Sequence, residues 1–110
     1  MFPAQQVDVS PVYRAAISAA NSGENTIVAA QTGKQIRVLA YTIVAAGAVD
    51  ATWKSASTSI SGAMSLAANG GIAQPFTEVG CMQTTVSEAL VLTLGGAVQV
   101  SGYLVYQIVG

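Results

Sequence analysis

The sequence predicts an all-β domain, an antiparallel two-sheet sandwich of jelly-roll-like form that carries an extended N-terminal arm. Short segments rich in β-branched and aromatic residues recur at roughly ten-residue spacing, with Gly, Asn and Ser between them. No amphipathic helical pattern separates these segments, which excludes βαβ units. Because 110 residues suit one domain, we divide the chain into an arm over residues 1–11 and a sandwich over residues 12–110.

The arm is polar and contains two prolines. Pro3 and Pro11 fix their own φ and push the preceding residue into extended geometry, so an arm is a better interpretation than a core element. Residues 12–20 suit either a short helix or a strand on propensity, and we interpret them as a strand. The Asn-Ser-Gly sequence at 21–23 ends the segment in either case.

The next strands are better defined. Residues 25–30 form a predicted strand, and the Gln-Thr-Gly-Lys sequence at 31–34 predicts a tight turn. Residues 35–46 make the longest apolar segment, rich in β-branched and aromatic side chains and apolar on both faces after Arg37. This pattern predicts a central strand that is covered on both sides.

Residues 49–54 show the clearest alternation in the chain. The two predicted faces are Val49, Ala51 and Trp53 on one side, and Asp50, Thr52 and Lys54 on the other. We expect one face to be buried and the other to be exposed to water. A register slip of one residue would exchange the two faces. Trp53 shares the apolar face, so we interpret it as a core residue of the sandwich.

The last third of the chain predicts a turn, an edge strand and a hairpin. Residues 67–71, Ala-Ala-Asn-Gly-Gly, are a strong turn signal. Residues 72–79 contain a proline and fit an edge strand or a loop. Residues 87–94 and 97–109 are two predicted strands, and we expect the glycines at 95–96 to join them as a two-residue hairpin.

The sequence offers little catalytic chemistry, and we expect no enzyme activity and no cofactor or metal. Histidine is absent, which removes the commonest general base and metal ligand. We interpret the carboxylates as solvated surface charges because they are scattered singly; they are Asp8, Glu24, Asp50, Glu78 and Glu88. Cys81 stands alone, which excludes an internal disulfide, and without a histidine it is more typical of a small, partly buried hydrophobe.

Nucleic acid and membrane are not expected partners. The net charge is −1 and the four basic residues are dispersed, so no basic patch is indicated. The uncharged stretch 89–110 is long enough to span a bilayer as a helix. However, Gly, Gln and Ser interrupt it, and its alternation from 98 to 101 is typical of a strand. The first ten residues lack the basic start and apolar run of a signal peptide.

Charged side chains are scarce. Four Lys or Arg and five Asp or Glu make 8% of the chain, whereas a soluble domain usually has about 25%. A small domain leaves much of its area in water and normally covers it with such residues. We therefore expect part of the folded surface to be covered by sister subunits or by a larger protein lattice.

Exposed aromatic rings are the remaining candidates for binding. Tyr106 shares a face with apolar residues and is expected to be buried. Tyr103 shares the opposite face with Gln99, Ser101, Val105 and Gln107, a mixed surface that suits a subunit contact. A sugar site at an aromatic residue, among them Tyr13 and Tyr41, stays open as an alternative.

Four segments of the chain resemble small virion proteins of tailed bacteriophages, in particular head decoration (capsid cement) proteins. They are residues 23–41 (GENTIVAAQTGKQIRVLAY), 51–54 (ATWK), 65–71 (SLAANGG) and 88–92 (EALVL). The resemblance implies a β-sandwich that trimerises at local threefold axes of a capsid and clamps neighbouring major capsid proteins. It also implies that the N-terminal arm reaches a neighbour.

We therefore expect a structural virion protein, made in the bacterial host cytoplasm and placed on the capsid surface. Its expected partners are itself, as a homotrimer, and the phage major capsid protein. The alternative is a trimeric tail-tip, fibre-tip or other host-recognition module that binds glycans. The residues expected at the interfaces are Phe2, Pro3, Val7, Val9, Pro11, Tyr13 and Tyr103.

Overall fold

A computed structural model describes residues 11–110, and it shows an all-β protein. The predicted arm, with Phe2, Pro3, Val7 and Val9, lies outside the described residues apart from Pro11. Residues 11–110 form ten strands and no helix: β1 Val12–Ala19, β2 Gly23–Val28, β3 Gln35–Ala45, β4 Val49–Ser55, β5 Thr58–Ser59, β6 Met64–Leu66, β7 Gly71–Gln74, β8 Met82–Gln83, β9 Leu90–Leu94 and β10 Val100–Val109. The prediction of a two-sheet antiparallel sandwich is confirmed.

The two sheets have five strands each. Sheet A has the order β1-β10-β3-β7, with β8 also paired to β3, and sheet B has the order β2-β9-β4-β5, with β6 also paired to β4. The short strands β5 and β6 act as one interrupted strand, as do β7 and β8. Counted in this way, eight strands cross repeatedly between the sheets, and the first and last lie side by side in sheet A. This is the strand order of a jelly roll.

Several local predictions are confirmed. Residues 12–19 are a strand, paired with β10 over eight residues without a register shift. The turn at 31–34 is closed by a hydrogen bond from Lys34 N to Gln31 O of 3.0 Å, and Gly33 supplies the positive φ of 74°. The predicted faces of β4 are correct, because Val49, Ala51 and Trp53 are buried. Strand β7 is an edge strand.

The predicted hairpin between β9 and β10 is wrong, because the two strands belong to different sheets. β9 lies between β2 and β4, whereas β10 lies between β1 and β3. The link at 95–99 crosses from one sheet to the other beside the link between β3 and β4. Gly95 N donates to Asp50 O (2.9 Å) and Ala46 N donates to Gln99 O (2.8 Å). The glycine pair therefore lies in a loop that connects the two sheets of the sandwich.

Strand β3 is central in its sheet, as predicted, but it is not covered on both sides within residues 11–110. The register against β10 shifts at Leu39, because Val38 pairs with Tyr106 and Ala40 with Val105. This bulge exchanges the two faces of β3 along its length. As a result, Val44 points away from the core and is 47% exposed. The prediction that both faces of β3 are buried, which was based on its apolar sequence, is therefore wrong for the outer face at Val44.

The core between the sheets is centred on Trp53, whose side chain is 0% exposed. The ring of Tyr41 meets it edge-on, with centroids 5.2 Å apart and planes at 65°. Tyr41 Oη donates to Met64 Sδ at 3.7 Å. Burial raises the pKa of Tyr41 above its usual value, because the phenolate would lose its solvation. The interpretation of Trp53 as a core residue is confirmed.

Candidate interaction surface

The outer faces of the two sheets differ in chemistry. The outer face of sheet B is mostly polar and carries three charged side chains; its residues include Glu24 and Thr26 of β2, Thr93 of β9, and Asp50, Thr52 and Lys54 of β4. The outer face of sheet A has four rows across β1, β10 and β3: Val12, Gln107 and Arg37; Arg14, Val105 and Ala40; Ala16, Tyr103 and Thr42; Ser18, Ser101 and Val44. The first row contains Arg37 and the buried Gln107, whereas Arg14 is the one charged side chain in the other three rows.

Exposed apolar side chains follow the same asymmetry. Among the described residues, the large hydrophobic side chains exposed on strands all belong to sheet A: Val12, Tyr13, Val44 and Tyr103. The strands of sheet B expose none. Of the side chains on sheet A, Val12, Val44 and Tyr103 lie on the outer face of the sheet, whereas Tyr13 lies on the opposite face. An apolar patch exposed on a protein surface commonly marks an interaction site. We call the three outer rows that contain Arg14, Tyr103 and Val44 the apolar face.

A shallow open depression lies on the apolar face. It has a volume of about 380 Å³ and is lined by Arg14, Tyr103 and Val105. The register places Arg14 opposite Val105 and Tyr103 opposite Ala16. A guanidinium beside a phenol ring and two methyl groups suits an apolar group that carries a carboxylate. We call this feature the Arg14 depression.

The structure separates two of the predicted interface residues. Tyr103 is 46% exposed on the apolar face and lines the depression. Tyr13 points to the other side of sheet A, where its ring lies 5.6 Å from that of Tyr106. Pro11 is exposed immediately before β1. Sequence reasoning missed Arg14, since its place beside Tyr103 depends on a pairing between strands about 90 residues apart.

A second exposed apolar feature is the loop between β7 and β8. Phe76 is 58% exposed and Val79 is 84% exposed, with Glu78 exposed between them. We call these three residues the apolar tip. Main-chain bonds fix both sides of the loop to β3, from Thr77 N to Leu39 O (3.0 Å) and from Cys81 N to Val38 O (2.8 Å). The tip is therefore held in a defined position, although its side chains have little contact with the rest of the subunit.

The carboxylates of the described residues do not assemble into a site. Asp50 accepts a hydrogen bond from Ser65 Oγ (2.9 Å). Glu88, which we interpreted as a solvated charge, instead accepts from the buried Ser55 Oγ at 2.6 Å. Ser55 Oγ in turn accepts from Thr85 N (2.9 Å), so this network ties the loop before β9 to β4. No group of three or more His, Cys, Asp or Glu within residues 11–110 is placed to hold a metal ion.

Cys81 is half-buried, and its Sγ donates to Val38 O at 3.4 Å. Burial raises the pKa of this thiol, which lowers the thiolate fraction at any given pH. We expect iodoacetamide to alkylate the native protein at pH 8 several-fold more slowly than the urea-unfolded chain. Mass spectrometry of timed samples measures both rates. Equal rates would mean that the thiol has no protection in the folded state.

The candidate site is thus a surface with a depression and a separate protruding tip. No helix in the described part of the chain is long and apolar enough to cross a membrane. Comparison of the chain with protein-family models, with curated proteins and with solved structures finds no match.

Proposed function

We propose that this chain is a structural virion protein. It binds the outside of a phage capsid as a homo-oligomer, a trimer in our proposal, and stabilises contacts between major capsid proteins. The observation that carries the proposal is the apolar face: three rows of small and apolar residues with Val44 and Tyr103 about half exposed and Arg14 as their charged member. The resemblance to decoration proteins supplies the capsid as the partner.

The energetics of such a role suit this surface. Apolar area removed from water contributes about 25 cal/mol per Å², and Arg14 is the one charge on the apolar face that would lose solvation when the face is covered. A charge buried at a contact without a partner would cost several kcal/mol. Repetition over many symmetry-related copies then converts weak single contacts into strong overall binding.

The first prediction from this proposal concerns self-association. We expect the purified protein to form a discrete oligomer at micromolar concentration, because the apolar face is large and nearly uncharged. Sedimentation velocity and light scattering measure the mass directly. A stable, dispersed monomer under these conditions would contradict the proposed function. A cryo-EM map of the assembled particle would then locate the oligomer, with density on the head surface as the expected result.

A glycan-binding tail-tip module is the second candidate, and the exposed ring of Tyr103 beside Arg14 favours it. Trp53 cannot serve as a stacking platform for a sugar, since it is fully buried. Density at a tail tip, together with glycan-array binding that is lost in Tyr103→Ala, would support this candidate over the capsid role.

A further inference from the structure

The Arg14 depression and the apolar tip lie at opposite edges of the same sheet. Arg14 is on β1, the edge strand on one side, and the depression continues onto the adjacent strand β10. The tip follows β7, the edge strand on the other side. Strand β3 lies between the two features, because the depression occupies β1 and β10 and the tip is bonded to the other edge of β3. A subunit of this shape presents a different surface at each edge.

The two features are complementary in charge and in polarity. The depression offers the Arg14 guanidinium, the Tyr103 ring and the Val105 methyl groups. The tip offers a carboxylate at Glu78 and exposed apolar side chains at Phe76 and Val79. A carboxylate near a guanidinium, with apolar groups packed around the pair, is a favourable arrangement at an interface.

The tip is also organised for binding. In addition to the two main-chain bonds to β3, Gly80 N donates to Thr77 O (3.3 Å), which closes a turn with Glu78 and Val79 at its corner. Little conformational freedom of the backbone would be lost when a partner covers this turn. Such preorganisation improves affinity because the ordering cost is already met in the free subunit.

We propose that the apolar tip of one copy of this chain seats in the Arg14 depression of the next copy. Contacts of this kind are head-to-tail, and they generate closed rings when the rotation between copies closes. The inference rests on the proposed function, in which the copies self-assemble, and it names the surfaces that meet. Glu78 pairs with Arg14 across the contact, and the side chains of Phe76 and Val79 cover Tyr103 and Val105.

A twofold contact between two depressions is less favourable. Such an arrangement would bring one Arg14 close to its copy, and like charges at an interface oppose association. The same reasoning applies to two tips, which would place one Glu78 near another. Glu78 meets Arg14 only when the tip of one copy faces the depression of a different copy.

Charge reversal tests the contact. We expect Arg14→Glu and Glu78→Arg each to weaken self-association by at least about tenfold, since each places like charges at the contact. The double variant Arg14→Glu/Glu78→Arg restores the opposite pair and should recover most of the lost affinity. Lys54→Glu and Glu24→Arg on sheet B are the matched controls and should leave the wild-type association unchanged. Sedimentation velocity over a concentration series measures all five proteins against the wild type.

Mixing two defective variants tests the head-to-tail arrangement. Arg14→Glu keeps an intact tip, and Val79→Asp keeps an intact depression, so each can supply the half that the other lacks. We expect native mass spectrometry of the mixture to show a 1:1 heterodimer that neither variant forms alone. Circular dichroism and thermal unfolding establish that both variants are folded, which their exposed positions favour.

The outcomes separate this inference from the proposed function. A wild-type protein that is monomeric would overturn both. A wild-type oligomer that is unaffected by Arg14→Glu and Glu78→Arg would overturn the tip-and-depression contact alone and leave the assembly role standing. Loss of association in both single variants without recovery in the double variant, or without a heterodimer in the mixture, would also overturn it.

Discussion

Replacing Trp53 by alanine is expected to destabilise the sandwich by about 3–5 kcal/mol, which is a large part of the 5–15 kcal/mol typical of a whole domain. The side chain is fully buried between the sheets and packs against Tyr41. Its removal leaves a cavity that two hydrogen-bonded sheets cannot easily close. Urea unfolding followed by circular dichroism measures the change in the free energy of unfolding.

Two other substitutions of aromatic residues serve as controls for Trp53→Ala. Trp53→Phe keeps a ring in the core and is expected to cost clearly less than alanine. Tyr103→Ala removes a ring of comparable size from the exposed apolar face and should change the free energy of unfolding of the subunit by less than about 1 kcal/mol. A Trp53→Ala protein as stable as Tyr103→Ala would show that Trp53 is not the centre of the core.

Replacing Gly102 by alanine is expected to be comparably severe, at more than about 3 kcal/mol. A Cβ atom at this position would lie 1.8 Å from Thr42 O of the neighbouring strand, and the φ of Gly102 is +156°. Strands β10 and β3 would have to separate in the middle of sheet A, where both are internal. Chemical unfolding and hydrogen exchange of the β3 amides measure the effect.

Gly96→Ala is the matched control for this glycine. Its added Cβ would meet no atom within 4 Å, so the change should stay within about 0.5 kcal/mol. Similar losses for the two glycine variants would mean that sheet A does not depend on the close approach of Gly102 to β3.

The fold class was predictable from sequence because local signals determine it. The alternation in β4 and the turn at 31–34 need only neighbouring residues, and both predictions are confirmed. Pairing between strands was less predictable. Gly95 and Gly96 suit a hairpin as well as a connection between the two sheets. Which of the two forms depends on the strands that pair with β9 and β10, and these are distant in sequence.

The candidate surface was predictable only in part. The scarcity of charge predicted that part of the surface is covered by other subunits. Tyr103 is exposed, as predicted, whereas Gln107 of the same predicted face is buried. The exposure of Val44 on β3 was not predicted, because the bulge at Leu39 that turns this side chain outward arises from pairing with β10. The Arg14 depression was missed for the same reason, since two strands far apart in sequence form it.

The position of β10 has a consequence for how the chain acquires its structure. This strand comes last in the described sequence, yet it inserts between β1 and β3 and forms the middle of sheet A. A nascent polypeptide on the ribosome cannot complete that sheet until β10 has emerged. Such distant pairings predict folding in milliseconds to seconds rather than microseconds. In the interval, the strand edges of β1 and β3 that β10 will cover are unpaired and can pair with wrong partners.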